Sequence, residues 1–193
     1  MSRLAPATEP YEPAIAEALA RIMPPGVPPL LLFRTLARSP RVFAKLFAGG
    51  LLDPGPLALR QREIVIDRTT ARLGCEYEWG VHVAFFAERV GLTPAQVEAT
   101  VAATVTATVT APGAHGDDAG WSADERALID LVDDLVDRRT IGSATWDRLA
   151  AHFDAAQILE AIALVGYYHT ISFLCRGLDL PLEPYAARFP VAA

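Results

Sequence analysis

Helix starts are written into this chain at several places, and they constrain its fold more than any other feature. Thr93-Pro94-Ala95-Gln96 and Ser122-Ala123-Asp124-Glu125 are capping boxes: a hydroxyl accepts the N–H three residues on, and a longer side chain reaches back to the first residue. Ser39-Pro40 reads as a cap followed by proline at the first helical position, where a missing N–H costs nothing. Ser143 and Asp154 read as two further caps. Downstream of these starts, apolar residues recur at helical spacing, as in Val42, Phe43, Leu46 and Phe47, or Leu128, Leu131, Val132 and Leu135. Pro24-Pro25-Gly26, Gly49-Gly50, Asp53-Pro54-Gly55-Pro56, Gly74, Gly91 and Gly177 close the segments. No convincing pair of strands is present. The pattern predicts an all-α protein.

In chain order the spacing predicts helices over Tyr11–Met23, around Leu31–Ser39, and from Pro40 to Gly49-Gly50. A long helix follows from Leu57 to Gly74, then one from Cys75 to about Val90. A short helix after Thr93 gives way to irregular structure through residues 112–120, because the Ala, Val and Thr run of residues 100–110 carries β-branched side chains that weaken a helix. The helix after Ser122 is expected to expose Asp130, Asp133, Asp134 and Asp137. The helix capped by Ser143 carries Trp146, Leu149 and Phe153. The last one should bury Ile158, Ile162, Val165, Ile171 and Phe173. Beyond Pro181 the tail reads as extended, with Tyr185 and Phe189 available to lie against another surface.

The 193 residues suit one domain with a sizeable core. A net charge of −6, with basic residues scattered singly, argues against nucleic acid as a partner. The first ten residues lack the apolar segment of a signal peptide, and Ile158–Val165 is interrupted by Glu160 and too short to span a bilayer. No membrane association and a cytoplasmic location are therefore expected. Cys75 and Cys175 stand a hundred positions apart and are expected to remain reduced and separate.

The chemistry is concentrated in Gly74-Cys75-Glu76-Tyr77-Glu78-Trp79-Gly80-Val81-His82. With Cys75 in the first turn of a helix, Cys75, Glu78 and His82 fall at three- and four-residue spacing on one face. Glu78 and His82 form an acid–imidazole pair in which the carboxylate can fix the tautomer and raise the basicity of the ring. Cys75 is either a buried small hydrophobe or a thiol activated by the helix N-terminus, which Glu76 and Glu78 oppose. Glu63 lies beside the most apolar stretch of the preceding helix, as a surface charge or as a carboxylate turned inward. Nothing supplies the closely spaced fourth ligand of a structural zinc site, and no metal is expected.

Glu63, Cys75, Glu78 and His82 stand in the frame Glu-x11-Cys-x2-Glu-x3-His, which resembles the carboxymuconolactone decarboxylase family with its alkylhydroperoxidase D-like members. Leu57–Glu63, Gly91-Leu92-Thr93-Pro94 and Gly166-Tyr167-Tyr168 resemble that family's helix before the core helix, the turn after it and the C-terminal helix. The resemblance implies an AhpD-like helical bundle over 40–193, preceded by an N-terminal helical extension over 1–39. It also implies a homotrimer or homohexamer, which the apolar excess and the tail aromatics would suit.

In the peroxidase branch of that family the central motif is Cys-x-x-Cys; here Glu78 replaces the second cysteine. The expected activity is therefore acid–base chemistry, such as decarboxylation of a small carboxylated substrate, without an organic cofactor. His82 would carry the proton, Glu78 would orient or share it, and Glu63 would relay it. Two other readings are a thiol peroxidase working through Cys75 with an external thiol, and a non-catalytic binding or assembly protein with a degenerate site.

Overall fold

A computed structural model describes residues 2–49, 51, 53–102 and 119–190. Among these residues there are nine helices and no strand: α1 (Pro13–Ile22), α2 (Leu31–Leu36), α3 (Pro40–Ala48), α4 (Leu59–Arg72), α5 (Glu76–Phe86), α6 (Pro94–Val101), α7 (Ala123–Arg138), α8 (Ser143–His152) and α9 (Ala155–Gly177). The side-chain caps read from the sequence form at Ser39, Thr93 and Asp154. Thr93 Oγ1 accepts from the Gln96 amide at 3.2 Å and Gln96 Oε1 answers at 3.1 Å. Asp154 and Gln157 form the same reciprocal pair at 2.9 and 3.0 Å. At α8 the cap is Gly142, and Ser143 is the first helical residue. Of the irregular structure expected through residues 112–120, residues 112–118 lie outside the described residues.

Helix α4 is the axis of the molecule, packed against α5, α6, α7 and α9. Its residues Arg62 to Ala71 are all buried, although the sequence interleaves charged and apolar side chains there. Burial is possible because most of these polar groups find partners on neighbouring elements. Arg68, 2% exposed, forks onto Asp133 at 2.9 and 2.8 Å and donates to the carbonyls of Thr100 at 2.9 Å and Ala102 at 2.8 Å. The Arg62 guanidinium donates to the Asp53 carbonyl at 2.6 Å and to that of Leu51. Thr69 and Thr70 return their hydroxyls to carbonyls one turn back at 2.6 and 2.9 Å. The acidic face expected to be exposed on α7 is correspondingly divided. Asp133 holds Arg68, while Asp134 is buried and accepts from the Gly142 amide at 2.9 Å.

The main core joins the N-terminal segment to the rest, with Ile15, Leu19, Leu32 and Leu36 in the same cluster as Leu131, Leu164 and Tyr168. Helix α9 has 23 residues and is long and apolar enough to cross a membrane by length and composition, although half of its most apolar window is buried inside this fold. Its inward stripe is Ile158, Ala161, Val165, Tyr168, Ser172 and Cys175, at steps of three and four. Phe173 falls off that stripe and is 66% exposed, contrary to the burial expected of it; Trp146 on α8 is also exposed.

The tail lies along α5 of its own chain. Ala187 donates to the Gly80 carbonyl at 3.0 Å and the Phe189 amide to Glu76 Oε1 at 3.0 Å. Phe189 meets Trp79, and Tyr185 meets Phe85, with ring centroids 5.0 and 5.4 Å apart. Gly80 is required for this approach, since a Cβ there would stand 2.2 Å from the Ala187 carbonyl oxygen. The tail aromatics are thus engaged within the chain.

Candidate active site

The turn between α4 and α5 sets the site. Gly74, at φ +63°, donates to the Ala71 carbonyl at 2.9 Å while Cys75 donates to that of Thr70 at 2.8 Å. This is a Schellman closure of α4, and it depends on the left-handed conformation that glycine adopts without penalty. It reverses the chain at once into α5, so that Cys75 becomes the N-cap residue, one position before the first turn where the spacing predicted it.

One and a half turns into α5, His82 stands between two carboxylates. Its Nδ1 is 2.7 Å from Glu63 Oε2 on α4, and its Nε2 is 3.6 Å from Glu78 Oε1 on its own helix. Glu63 is therefore turned inward, at 3% exposure. Burial is the largest influence on His82 and disfavours the imidazolium. Glu63 and Glu78 together outweigh it and hold the pKa well above the ordinary value. Phe86 stacks on the imidazole at 5.5 Å, and Tyr168 meets it edge-on at 5.1 Å from α9. Tyr167, beside Tyr168, has its phenol pushed up to about 12, first by burial and then by the charge on Glu78.

Asp67, which the sequence reading did not single out, belongs to this group. It is 1% exposed, one turn beyond Glu63 on α4, and its Oδ1 has no hydrogen-bond partner. Burial, then the charge on Glu63, raises its pKa well above the usual carboxylate range, with His82 pulling the other way. The environment therefore favours the neutral acid. A four-residue step from Glu63 on a helix was the available signal. Among the described residues, no three His, Cys, Asp or Glu side chains are arranged to hold a metal ion.

Cys75 and Cys175, a hundred positions apart, lie in the same core cluster. Both thiols are free and buried, Cys175 near the end of α9 and Cys75 at the start of α5. The Cys175 side chain is the first cause holding the Cys75 thiol below its ordinary pKa, against burial, and the Cys75 side chain is the first cause driving Cys175 far up. The stretch around Cys75 carries no hint of this neighbour, because the proximity depends on the tertiary path of α9.

Residues 39–115 match the sequence profile of the Carboxymuconolactone decarboxylase family. The matched segment contains α3 to α6 and with them Glu63, Cys75, Glu78 and His82. Over that segment the chain is similar to this family, and its fold is AhpD-like. A crystal structure of an uncharacterized peroxidase-related protein from Ralstonia eutropha JMP134, described as an alkylhydroperoxidase AhpD core, superposes with a TM-score of 0.77 at 18% identity, covering 95% of this chain and 93% of that one. An uncharacterized peroxidase-related protein from Silicibacter sp. TM1040 gives a TM-score of 0.73 at 16% identity, with 98% and 96% covered. At such identities the likeness establishes the fold, and the AhpD-like helical domain expected from the sequence is the one observed. No functionally curated protein matches the chain by sequence.

Proposed function

We propose that the chain is an enzyme of acid–base type that decarboxylates a small carboxylated substrate, with His82 as the proton donor. The observation that carries this reading is the grip on His82: Nδ1 held by Glu63 at 2.7 Å, Nε2 directed towards Glu78 at 3.6 Å. An imidazolium stabilised on both sides can deliver a proton to carbon. Loss of CO2 leaves the electron pair of the broken C–C bond on the substrate as an enolate-like carbanion. Nε2–H then protonates that carbon, and His82 recovers its proton through Glu78 or water. Glu63 keeps Nδ1 protonated and the ring fixed in place. Phe86 and Tyr168 limit water around the ring, which favours dispersal of the substrate's carboxylate charge as CO2 departs. Glu78 stands where the peroxidase branch of the resembled family has its second thiol, which supports acid–base chemistry over a Cys-x-x-Cys redox pair on α5.

As a further part of the proposal, the protein works as a homo-oligomer, in keeping with the exposed apolar side chains Leu159 and Phe173 on α9 and Trp146 on α8.

The test is CO2 release from a panel of small carboxylated lactones and β-keto acids, with deuterium from solvent traced to the protonated carbon. His82→Gln should lower the rate on the order of 100-fold or more. No CO2 release from any member of the panel, or undiminished release from the variant, would overturn the reading.

A further inference from the structure

We propose that Glu78 Oε2 anchors a protonated amine, and that the substrate is a small α-amino β-keto acid. This rests on the acid–base reading given above and narrows it to one class of substrate.

Three observations carry it. Glu78 is 6% exposed and its Oε2 has no hydrogen-bond partner, while Oε1 faces His82 Nε2 at 3.6 Å. A buried carboxylate oxygen without a donor is unfavourable, and a ligand that brings one removes the penalty. Negative charge also exceeds positive around the ring. Glu63 and Glu78 both face His82, whose imidazolium balances one of them. Among the described residues Glu78 has no other ion pair, and Arg62, beside Glu63 on α4, directs Nη1 and Nη2 to the carbonyls of Asp53 and Leu51. A hydroxyl would satisfy Oε2 and leave the excess charge; an ammonium answers both. Finally, the half-buried residues that border the site are aromatic. Phe86 stacks on the imidazole at 5.5 Å, and Tyr167 meets Tyr168 at 5.3 Å. Aromatic faces next to a carboxylate suit a cation.

The anchor also suits the reaction. Oε1 and Oε2 belong to one carboxylate, so an ammonium on Oε2 sets the carbon that bears it beside Nε2, the proton donor. Glu63, Glu78 and His82 move a proton but offer no sink for an electron pair. The sink is therefore the substrate's own ketone, β to its carboxylate. The bond from the α-carbon to the carboxyl carbon breaks, CO2 leaves, and the electron pair enters the ketone as an enolate. Nε2–H then gives its proton to the α-carbon, an α-amino ketone forms, and the ring regains a proton from water. A carboxylated substrate without an amine would add a second negative charge beside Glu78 and be bound less well.

The experiment titrates the full-length protein at neutral pH with aminoacetone, hydroxyacetone and butanone. These are molecules of one size that differ in a single group: ammonium, hydroxyl or methyl. None of them can lose CO2, so binding is read apart from turnover, through the NMR resonances of the His82 ring. Aminoacetone should bind at least about tenfold more tightly than the other two. Glu78→Gln keeps the shape of the side chain, removes its charge and should abolish that preference. The wild type decides even if the variant fails to fold: equal affinity for all three, or binding of none, overturns the proposal. A preference for aminoacetone that survives Glu78→Gln overturns it as well. The acid–base reading fails separately. An α-amino β-keto acid that loses CO2 no faster with the protein than without it, alongside an intact preference for aminoacetone, would sink that reading and leave the amine site standing. Catalysed CO2 release from amine-free acids with no such preference would do the reverse.

Discussion

Helices α4 and α9 pack against each other, and their compositions suggest opposite fates. Of the two, α4 is rich in charge: Arg60, Arg62, Glu63, Asp67, Arg68 and Arg72 lie within fourteen residues, yet its central ten residues are buried. Helix α9 is apolar enough to cross a bilayer, yet leaves Leu159 and Phe173 about two-thirds exposed, at 67% and 66%. The difference lies in partners. A buried charge persists where neighbouring elements supply hydrogen bonds, as Asp133 and two carbonyls do for Arg68, whereas an exposed apolar side chain is common and costs little by itself. Polarity in the centre of this fold is therefore selected by geometry, and it is in this buried polar seam that the chemistry is found.

The comparison can be broken most severely at Arg68. Arg68→Met fills similar volume but removes the Arg68 donor from the carbonyls of Thr100 and Ala102 and from Asp133, which Arg72 also meets at 3.5 Å. The expected loss is about 3 kcal/mol of unfolding free energy, read from the denaturant midpoint. A change under about 0.5 kcal/mol would mean that the seam is not what holds α4, α6 and α7 together.

A smaller effect should come from Asp67. Its folded pKa is raised above the unfolded value, so its contribution is intact below about pH 4 and is lost as pH rises towards the folded value. Asp67→Asn keeps a neutral side chain of the same shape. It should raise stability at neutral pH by on the order of 1 kcal/mol and flatten the pH dependence above about pH 4. Chemical denaturation at acid and neutral pH checks this, and a loss of stability that is larger at neutral than at acid pH would show that Asp67 serves as a charged partner instead.

The smallest effect belongs to α9. Leu159→Ser and Phe173→Ser should each alter the folding free energy of one chain by within about 0.5 kcal/mol. Sedimentation provides the sharper reading: in the oligomer proposed above, the double variant should shift towards smaller species while the single-chain fold is kept. An unchanged oligomer would remove α9 from its interface.

Much of this was legible in the sequence, for a reason visible in the residues. The caps at Ser39, Thr93, Ser122 and Asp154 act within four positions, so a local pattern suffices to read them. Glu78 and His82 also meet within one helix. Glu63 is different: its bond to His82 crosses from α4 to α5, and the residues alone left it undecided between surface and interior until the Schellman turn placed the two helices face to face. Asp67, Cys175 and the partners of Arg68 were not legible, because their contacts join positions tens of residues apart and depend on how α4 and α9 lie. The misplacement of Phe173 has the opposite origin, since apolar composition was read as burial without regard to its step around the helix.

A single phenol on α5 ties together parts of the chain that are far apart in order of synthesis. Tyr77 donates to Glu183 Oε1 in the tail at 2.6 Å and accepts from the Leu32 amide at the start of α2 at 3.0 Å, while Glu183 also accepts from the neighbouring Leu31 amide. Neither terminal segment can satisfy this knot without the other: release of the tail strips Tyr77 and the Leu31 amide of their acceptor in a buried setting. The first thirty-odd residues and the last dozen thereby become one cooperative unit, and the native ensemble should contain few molecules in which only one end has come undone.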